Sequence, residues 1–283
     1  MFSRSLSLVI LVCILWIPQA HAKSRLISLK PNITETVYEL GSGDQLVGAT
    51  LYCDYPEAAK KLPRVADYIK ADPEKILLLR PDLILASEEN SSQKEIYFLM
   101  NRGIPVELFS FTTLQETYDS ILKLGRVLGK AEQATQVVAK MKAELADLKA
   151  KFGGGPVQRA LFVVGYDPLV VVGGDNFIDD VFPYLGLSNV AGGSKIKYPT
   201  WSTEQIIRSA PDWIVELPMG SENQPGKRGS RLQWWQRFPS IPAVAKGQIL
   251  SFPVEEIRAV PALPLALEKL GGKIHPVPAP KQP

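Results

Sequence analysis

The side chains that could act as nucleophiles or hold a transition metal are few in this chain of 283 residues. It contains 2 cysteines, Cys13 and Cys53, and 2 histidines, His21 and His275, the last of which lies in the proline-rich segment KIHPVPAPKQP. A nucleophilic cysteine needs a neighbouring base, and a structural zinc site needs a full set of cysteine and histidine ligands. No glycine-rich loop ends in Lys-Ser or Lys-Thr, the pattern that binds phosphate. These chemistries are therefore not expected.

Carboxylates are the remaining candidates for catalysis. Asp54, Asp175 and Glu255 could serve an exported hydrolase, since carboxyl groups can act as general acid and base, but nothing in their spacing pairs them. The formal net charge is +3, and no basic stripe with interleaved aromatic residues predicts nucleic-acid binding. These absences weigh against an enzyme without excluding carboxylate-based catalysis, and we expect no nucleic-acid partner, resident metal or cofactor. An exported carboxylate-based hydrolase is the alternative.

Two further carboxylates occupy the same position in a repeated segment. DPEKILLLRPDLIL begins at Asp72 and STEQIIRSAPDWIV begins at Ser202, which places Glu74 and Glu204 in the same register. NITETVYELG and NFIDDVFPYLG are also similar and occur in the same order. This repetition predicts two lobes of related design. Each glutamate lies near a helix N-terminus, where the helix dipole favours a carboxylate, so a purely local role is the alternative to a binding role.

The elements that must position these side chains alternate between strands and helices. Strands are predicted at RLISL, LVGAT, DLILA and IPVELF in the first half and at RALFVVG and DWIVEL in the second. Asn32 and Asp72 are predicted to cap helices, and Ser202 with Gln205 forms a capping-box pattern. GSENQPGKRGSR is predicted to be a polar loop. Alternation of this kind indicates an α/β fold with βαβ units.

Residues 113–155 lack strand-like runs, and their apolar residues recur at helical spacing. Gly129 is predicted to separate a shorter helix from one over residues 131–152, which would span about 33 Å. We expect an α/β fold with two Rossmann-like lobes joined by one long backbone helix and a ligand cleft between the lobes. The predicted boundaries are an N-terminal lobe at 23–112, a helical spine at 113–155, a C-terminal lobe at 156–272 and a disordered proline-rich tail at 273–283.

Residues 1–22 have the features of a signal peptide. Arg4 precedes an apolar run that is shorter than the roughly 20 residues of a membrane span, and Ala-His-Ala at 20–22 is a small-x-small cleavage site. Cys13 lies inside the run and makes a lipid anchor the alternative, but Val12 stands where a small residue would precede a lipidated cysteine. We expect an exported protein with a mature chain that begins at Lys23.

The order of several motifs resembles a known family. SLKPNITETVYELG, VGATLYCDYPEAAKKLPRV, the two repeated segments, KYPTWSTEQ and IRAVPALPLALEKL resemble periplasmic binding proteins of the helical-backbone class, or class III. These are substrate receptors of ABC importers, and the motifs most resemble the receptors for vitamin B12. The resemblance implies a monomer that captures a corrinoid and delivers it to a permease dimer with its ATPase subunits. Haem and ferric siderophores are the alternative cargoes.

The resemblance also assigns roles to residues of this chain. Glu74 and Glu204 match the glutamates that dock the two lobes onto the permease. The positions that match ligand contacts are Tyr52, Tyr68, Tyr198, Val254, Glu255, Glu256, Ile257 and Arg258. Flat aromatic faces suit a flat macrocycle, and an arginine can donate several hydrogen bonds to groups on its rim.

This chain departs from the vitamin B12 receptors at several of these positions. Tyr68 and Tyr198 stand where those receptors carry tryptophan, Val254 stands where they have an acid, and their disulfide is missing. A phenolate can ligate ferric iron, and haem receptors of the class have a tyrosine near the position of Tyr68, so haem stays open. Trp201 could reach the cleft or pack on the following helix, and Cys53 is expected to be a free buried thiol. A two-lobed scaffold without a ligand is a third possibility.

Overall fold

The first lobe is a parallel sheet flanked by helices. The computed structural model describes residues 24–67, 70–218 and 225–276. The strands of the first sheet are β1 (Leu26–Ser28), β2 (Leu46–Thr50), β3 (Arg64–Ala66), β4 (Leu83–Ser87) and β5 (Val106–Phe109), and its helices are α1 (Pro31–Glu39), α2 (Pro73–Leu78) and α3 (Lys94–Asn101). The spatial order is β3-β2-β1-β4-β5 with every pair parallel. In such doubly wound sheets ligands bind outside the carboxyl ends of the strands.

Two helices connect this lobe to the second one. They are α4 (Leu114–Val127), which begins with a capping box between Thr113 and Glu116, and α5 (Ala131–Phe152), which is 22 residues long. Gly129 lies between them with φ +67°, a left-handed conformation that glycine adopts without steric cost, as the sequence predicts. The buried side chains of α5 belong to a hydrophobic core that includes residues of both sheets. The spine therefore packs against both lobes and is not a free linker.

The second lobe repeats the α/β design with one antiparallel addition. Its strands are β6 (Gln158–Tyr166), β7 (Leu169–Val171), β8 (Leu187–Asn189), β9 (Trp213–Glu216) and β10 (Ile249–Ser251). Its helices are α6 (Phe177–Val181), α7 (Thr203–Ser209), α8 (Pro225–Trp235), α9 (Pro242–Ala245) and α10 (Leu263–Ile274). The order is β10-β9-β6-β7, and β8 also pairs with β6. Only β7 runs antiparallel to its neighbour among the described strand pairs of this sheet.

The repeated segments are a structural repeat. Arg80 and Ala210 both have left-handed backbones, with φ of 46° and 42°, immediately before a proline. Two residues further on, Asp82 accepts a hydrogen bond from the Arg25 backbone N–H at 2.7 Å, and Asp212 accepts one from the Arg159 N–H at 3.1 Å. The same helix-to-strand connection is therefore built in each lobe. Residues at the same register position occupy equivalent places in the two lobes.

Two local predictions are wrong. Asn32 lies inside α1 rather than at its N-cap, because Pro31 begins the helix and Lys30 is the cap residue without a side-chain bond. The predicted polar loop contains the start of α8, which begins at Pro225. Its residues 220–224 lie outside the described part of the chain. The sequence of α8 is glycine-rich and polar, so tertiary contacts, not helix propensity, stabilise it.

The C-terminal boundary also differs from the prediction. Helix α10 continues through Ile274, which is buried, so the ordered lobe extends past residue 272. The His275 Nε2 atom lies 2.8 Å from the Leu185 carbonyl oxygen, and its ring stacks on Phe152 with 5.6 Å between centroids. His275 therefore contacts the lobe and is not part of a free tail. Residues 277–283 and the predicted signal peptide at 1–22 lie outside the described residues.

Candidate functional site

A cleft of about 300 Å³ lies between the two lobes. Residues that follow the carboxyl ends of strands in both sheets line it, as expected for a doubly wound fold. From the first lobe these are Asn32, Glu89, Phe111 and Thr112, and from the second Asn176, Phe177, Ile178, Lys197, Tyr198, Val254, Ile257, Arg258 and Ala259. None of the described helices is long and apolar enough to cross a membrane.

The cleft continues as a groove along the first lobe. An adjoining cavity of about 290 Å³ is lined by Tyr52 and Lys30, among others, and shares Glu89 with the cleft. A smaller cavity of about 120 Å³ shares Asn32 and Phe111 with the cleft. Because the three cavities have lining residues in common, they are adjacent, and together they are called the groove. A ligand larger than the interlobe cleft could extend towards Tyr52.

The structure brings most of the predicted ligand residues to this groove. Tyr198, Val254, Ile257 and Arg258 line the interlobe cleft, and Tyr52 lines the adjoining cavity. Tyr52 and Tyr198 are about half exposed, at 49% each. The two remaining predicted residues of the loop, Glu255 and Glu256, belong to the short 3₁₀ turn that follows β10 but do not line the cleft. Tyr68 lies outside the described residues.

Arg258 forms an ionic contact across the two lobes. Its Nη1 atom donates to Glu35 Oε1 of α1 at 2.7 Å and to Asp54 Oδ1 of the loop after β2 at 3.2 Å. The Arg258 and Glu35 side chains are only 20% and 9% exposed, whereas that of Asp54 is 60% exposed. Burial raises the pKa of Glu35, although the hydrogen bond and charge of Arg258 oppose the rise. Sequence reasoning missed this partnership because its members are far apart in the chain.

The other basic residues of the groove also lie near carboxylates. Lys30 forms an ion pair with Glu89. Lys197 lies near Glu116 at the start of α4, and its charge contributes to a lowered pKa of that carboxyl group. Burial alone would raise the Glu116 pKa, but hydrogen bonds such as that from Ser110 Oγ at 2.7 Å outweigh it. The cationic side chains of the groove are therefore largely compensated by the protein itself.

Several lining residues were not singled out from the sequence. Phe111 and Phe177 add aromatic surface to the cleft, and Asn176 caps α6 by accepting hydrogen bonds from the N–H groups of Ile178 and Asp179. Their positions in the sequence could have identified them, because Phe111 follows the predicted strand IPVELF and Asn176 begins a predicted helix. Carboxyl ends of parallel strands meet at one edge of a sheet, so loops after predicted strands are the place to look.

Cys53 and Trp201 are explained by packing. Cys53 is a free and buried cysteine, as predicted from the sequence. Its sulfur accepts a hydrogen bond from Thr34 Oγ1 at 3.0 Å. Trp201 is partly buried against the second-lobe core and does not line the cleft. Among the residues that the structure describes, no group of three or more histidine, cysteine, aspartate or glutamate side chains could hold a metal ion.

Glu74 and Glu204 occupy equivalent, exposed positions outside the cleft. Each is the second residue of its helix, α2 or α7. The preceding cap residue accepts a backbone hydrogen bond in both cases, Asp72 from Lys75 at 3.1 Å and Ser202 from Gln205 at 3.3 Å. The hydrogen bond with Ser202 lowers the pKa of Glu204. Because the helices run back from the carboxyl ends of the strands, both carboxylates lie at the edge where the cleft opens.

Comparison with known proteins agrees with this architecture. The profile of the family described as periplasmic binding protein matches residues 26–255. A vitamin B12-binding protein of Vibrio vulnificus is 32% identical over 79% of this chain and 80% of its own length. The crystal structure of the periplasmic vitamin B12-binding protein BtuF of Vibrio cholerae has a TM-score of 0.74 with 27% identity, covering 89% of this chain and 96% of that one.

A haem-binding relative has a similar fold. The crystal structure of a periplasmic haem-binding protein from Pseudomonas aeruginosa has a TM-score of 0.79 with 26% identity, covering 92% of this chain and 95% of that one. Both structures share the two-lobed organisation described above, and the family consists of transport binding proteins rather than enzymes. From its matched residues, its fold and its interlobe cleft, this chain belongs to the periplasmic binding proteins of the helical-backbone class.

Proposed function

We propose that this protein captures a corrinoid of the vitamin B12 type in the periplasm and delivers it to an inner-membrane ABC importer. The observation that carries the proposal is the groove between the lobes, in which Tyr52 and Tyr198 offer half-exposed rings and Arg258 offers hydrogen-bond donors. Aromatic faces bury large apolar area against a flat ring. The vitamin B12-binding relatives support this cargo.

Haem is the second candidate cargo. It is supported by the structural similarity to the haem-binding protein of Pseudomonas aeruginosa. A ferric siderophore would suit the same role, and Tyr68 is the proposed iron ligand if haem is bound. The proposed ligand set is Tyr52, Tyr68, Tyr198 and the segment from Val254 through Arg258.

The cargo can be tested by fluorescence titration of the protein from Lys23 to Pro283. Cyanocobalamin, hemin and a ferric siderophore are titrated separately, with correction for absorption by each ligand. We expect saturable quenching by cyanocobalamin, and we expect Tyr52→Ala and Tyr198→Ala each to weaken binding by about 10-fold, the value of one well-placed aromatic contact. Tyr97→Ala is the control, since Tyr97 is exposed on α3 and does not line the groove.

The same titration separates the alternatives. Saturable binding of hemin without cyanocobalamin, together with loss of a phenolate-to-iron absorption band in Tyr68→Phe, would replace the corrinoid by haem and keep the transport role. Binding of none of the three ligands would refute the proposal and favour a scaffold that uses the two-lobed fold.

We further infer that Glu74 and Glu204 form the contacts with the permease dimer. Their exposure, their equivalent positions in the two lobes and their place outside the interlobe cleft support this role. A two-fold symmetric partner presents the same surface twice, and a receptor with two similar lobes can meet it by presenting similar carboxylates twice. The receptor itself is proposed to act as a monomer.

A further inference from the structure

The contact between Arg258, Glu35 and Asp54 bears on which cargo the groove accepts. One guanidinium faces two carboxylates at 2.7 and 3.2 Å, so the group has an excess negative charge when all three are ionised. Both contacts use the Nη1 atom, and within the described part of the chain Nε and Nη2 of Arg258 make no hydrogen bond. Arg258 therefore retains N–H donors for a ligand while its charge is compensated.

The lysines that line the groove lie beside carboxylates. Among the described residues that line the groove, Lys30 is paired with Glu89, and Lys197 lies near Glu116. Two further cations lie near Asp54: Lys60, whose charge interacts with Asp54, is paired with Glu57 at 2.7 Å, and Arg64 donates to the Cys53 carbonyl oxygen at 3.1 Å. A ligand carboxylate brought to Arg258 would meet Asp54 and Glu35 at short range, and like charges in such a partly desolvated site repel strongly. A carboxamide oxygen can accept the same N–H bonds without that repulsion.

We propose that Glu35 and Asp54 are specificity-determining residues, which compensate the charge of Arg258 so that the groove favours macrocycles with an uncharged, carboxamide-bearing rim over macrocycles with a carboxylate-bearing rim. The two residues are assigned a positioning and electrostatic role and are not assigned direct contact with the ring. This inference rests on the proposed function, since it concerns the rim of the proposed macrocyclic cargo. Specificity here comes from a repulsive element as much as from attraction.

The test uses pairs of ligands that differ in the charge of the rim. The first pair is cyanocobalamin and its monocarboxylic acids, in which one peripheral carboxamide is a carboxylate. The second pair is hemin and its dimethyl ester. For the wild-type protein we expect the uncharged member of each pair to bind more tightly than the charged member. The difference should be about 10-fold or more when the charged member places its carboxylate near Arg258.

The variants are Glu35→Gln and Asp54→Asn. Each removes one negative charge while retaining the size and the acceptor oxygen of the side chain, and we expect each to reduce the preference for the uncharged member by about 3- to 10-fold. Affinity for the carboxylate should rise while affinity for the carboxamide stays within about 2-fold. Asp54→Asn keeps the test valid if Glu35→Gln disturbs folding, because Asp54 is largely exposed.

A control variant and a salt series test whether the preference for the uncharged ligand arises at Arg258, Glu35 and Asp54 and is electrostatic in origin. Glu144→Gln on α5 removes one negative charge away from the groove and should leave the ligand preference unchanged. The preference of wild type should weaken as ionic strength rises, since the repulsion is electrostatic. If Glu35 and Asp54 only latched the lobes together, both members of each pair would lose affinity equally, and the proposal would be wrong.

The outcomes separate this inference from the proposed cargo. If only hemin and its ester bind, the corrinoid cargo fails, and the specificity inference is judged on that pair alone. A wild-type preference for hemin over the ester, or a preference unchanged in both variants, would overturn the inference while leaving a transport role. Failure of both rings to bind would overturn both proposals.

Discussion

Glu216 and Arg231 form a buried ion pair at the carboxyl end of β9. The Arg231 Nε atom lies 3.3 Å from Glu216 Oε2, and the two side chains are only 6% and 3% exposed. Trp235 Nε1 donates to Glu216 Oε1 at 3.0 Å, and Arg231 stacks over the Tyr166 ring at 5.0 Å. These contacts hold α8 against the carboxyl ends of β9 and β6, the two inner strands of the second sheet. They explain why a glycine-rich polar segment is helical.

We therefore predict that Arg231→Met destabilises the protein by about 3–5 kcal/mol, because it leaves the Glu216 carboxylate buried without its cation. Glu216→Leu with Arg231→Met should recover much of that loss, since an apolar pair has no buried charge to compensate. Urea unfolding of both single variants and the double variant measures the coupling. If the double variant lost as much free energy of unfolding as the two single variants together, the two side chains would contribute independently.

At the scale of elements, the two halves of the repeat begin with chemically different caps. Asp72 caps α2 with a carboxylate, and Ser202 caps α7 with a hydroxyl group at the equivalent position. The backbone hydrogen bond from Lys75 lowers the pKa of Asp72 below its ordinary value of 3.8. The chain thus contains a matched pair in which only one cap can titrate.

The pair predicts a difference in pH dependence. A lowered pKa in the folded state means that the Asp72 contribution is present above the ordinary pKa and is lost as pH falls through the folded pKa. Asp72→Ala should therefore lower the free energy of unfolding at about pH 7 and have a shrinking effect towards about pH 3. Ser202 does not titrate but its bond lowers the pKa of Glu204, so in a Glu204→Gln background, which removes that carboxylate, Ser202→Ala should cost about 1 kcal/mol throughout. Equal pH profiles for the two variants would contradict the cap assignment.

At the scale of the whole molecule, the lobes are joined by a spine that packs into both. Helix α5 contributes Ala134, Val138, Met141, Leu145 and Leu148 to a core that also contains residues of each sheet. The Arg258 contact to Glu35 adds a direct link between the lobes. Equivalent surface positions of the two lobes are thereby held at a fixed separation, which suits a two-pronged contact with a symmetric partner.

Reversal of the proposed docking charges tests this arrangement. We predict that Glu74→Arg with Glu204→Arg abolishes uptake of labelled cargo through the importer while changing cargo affinity in solution by less than about 2-fold, because both residues are exposed outside the interlobe cleft and exposed charges are screened by salt. Each single reversal should retain part of the uptake, since the other lobe still docks. Glu144→Arg on α5 is the control for added positive charge.

Ligand affinity is the decisive comparison in that experiment. A parallel loss of affinity and uptake in the double variant would place Glu74 and Glu204 in the ligand site or in folding. Full uptake by the double variant would exclude both residues from the permease contact.

Local patterns in the sequence were sufficient for most of the elements. Features that depend on residues within a few positions of each other can be predicted without knowledge of the fold. They include the alternating strands and helices, the caps at Asp72 and Ser202 and the break at Gly129. The repeat also indicated two related lobes, and the aligned Arg80 and Ala210 backbones show how far the likeness extends. Where a distant contact stabilised an element, as for α8, local pattern was misleading.

The groove and its electrostatics depend on contacts that no local pattern contains. Arg258 and Glu35 are 223 positions apart in the chain, and Glu216 and Arg231 meet only because β9 and α8 pack together. A motif could place Tyr198 and Arg258 on loops that follow strands, but it could not reveal that the guanidinium is already compensated by two carboxylates. Burial and pairing are properties of the folded chain because they depend on which distant side chains exclude water from each other.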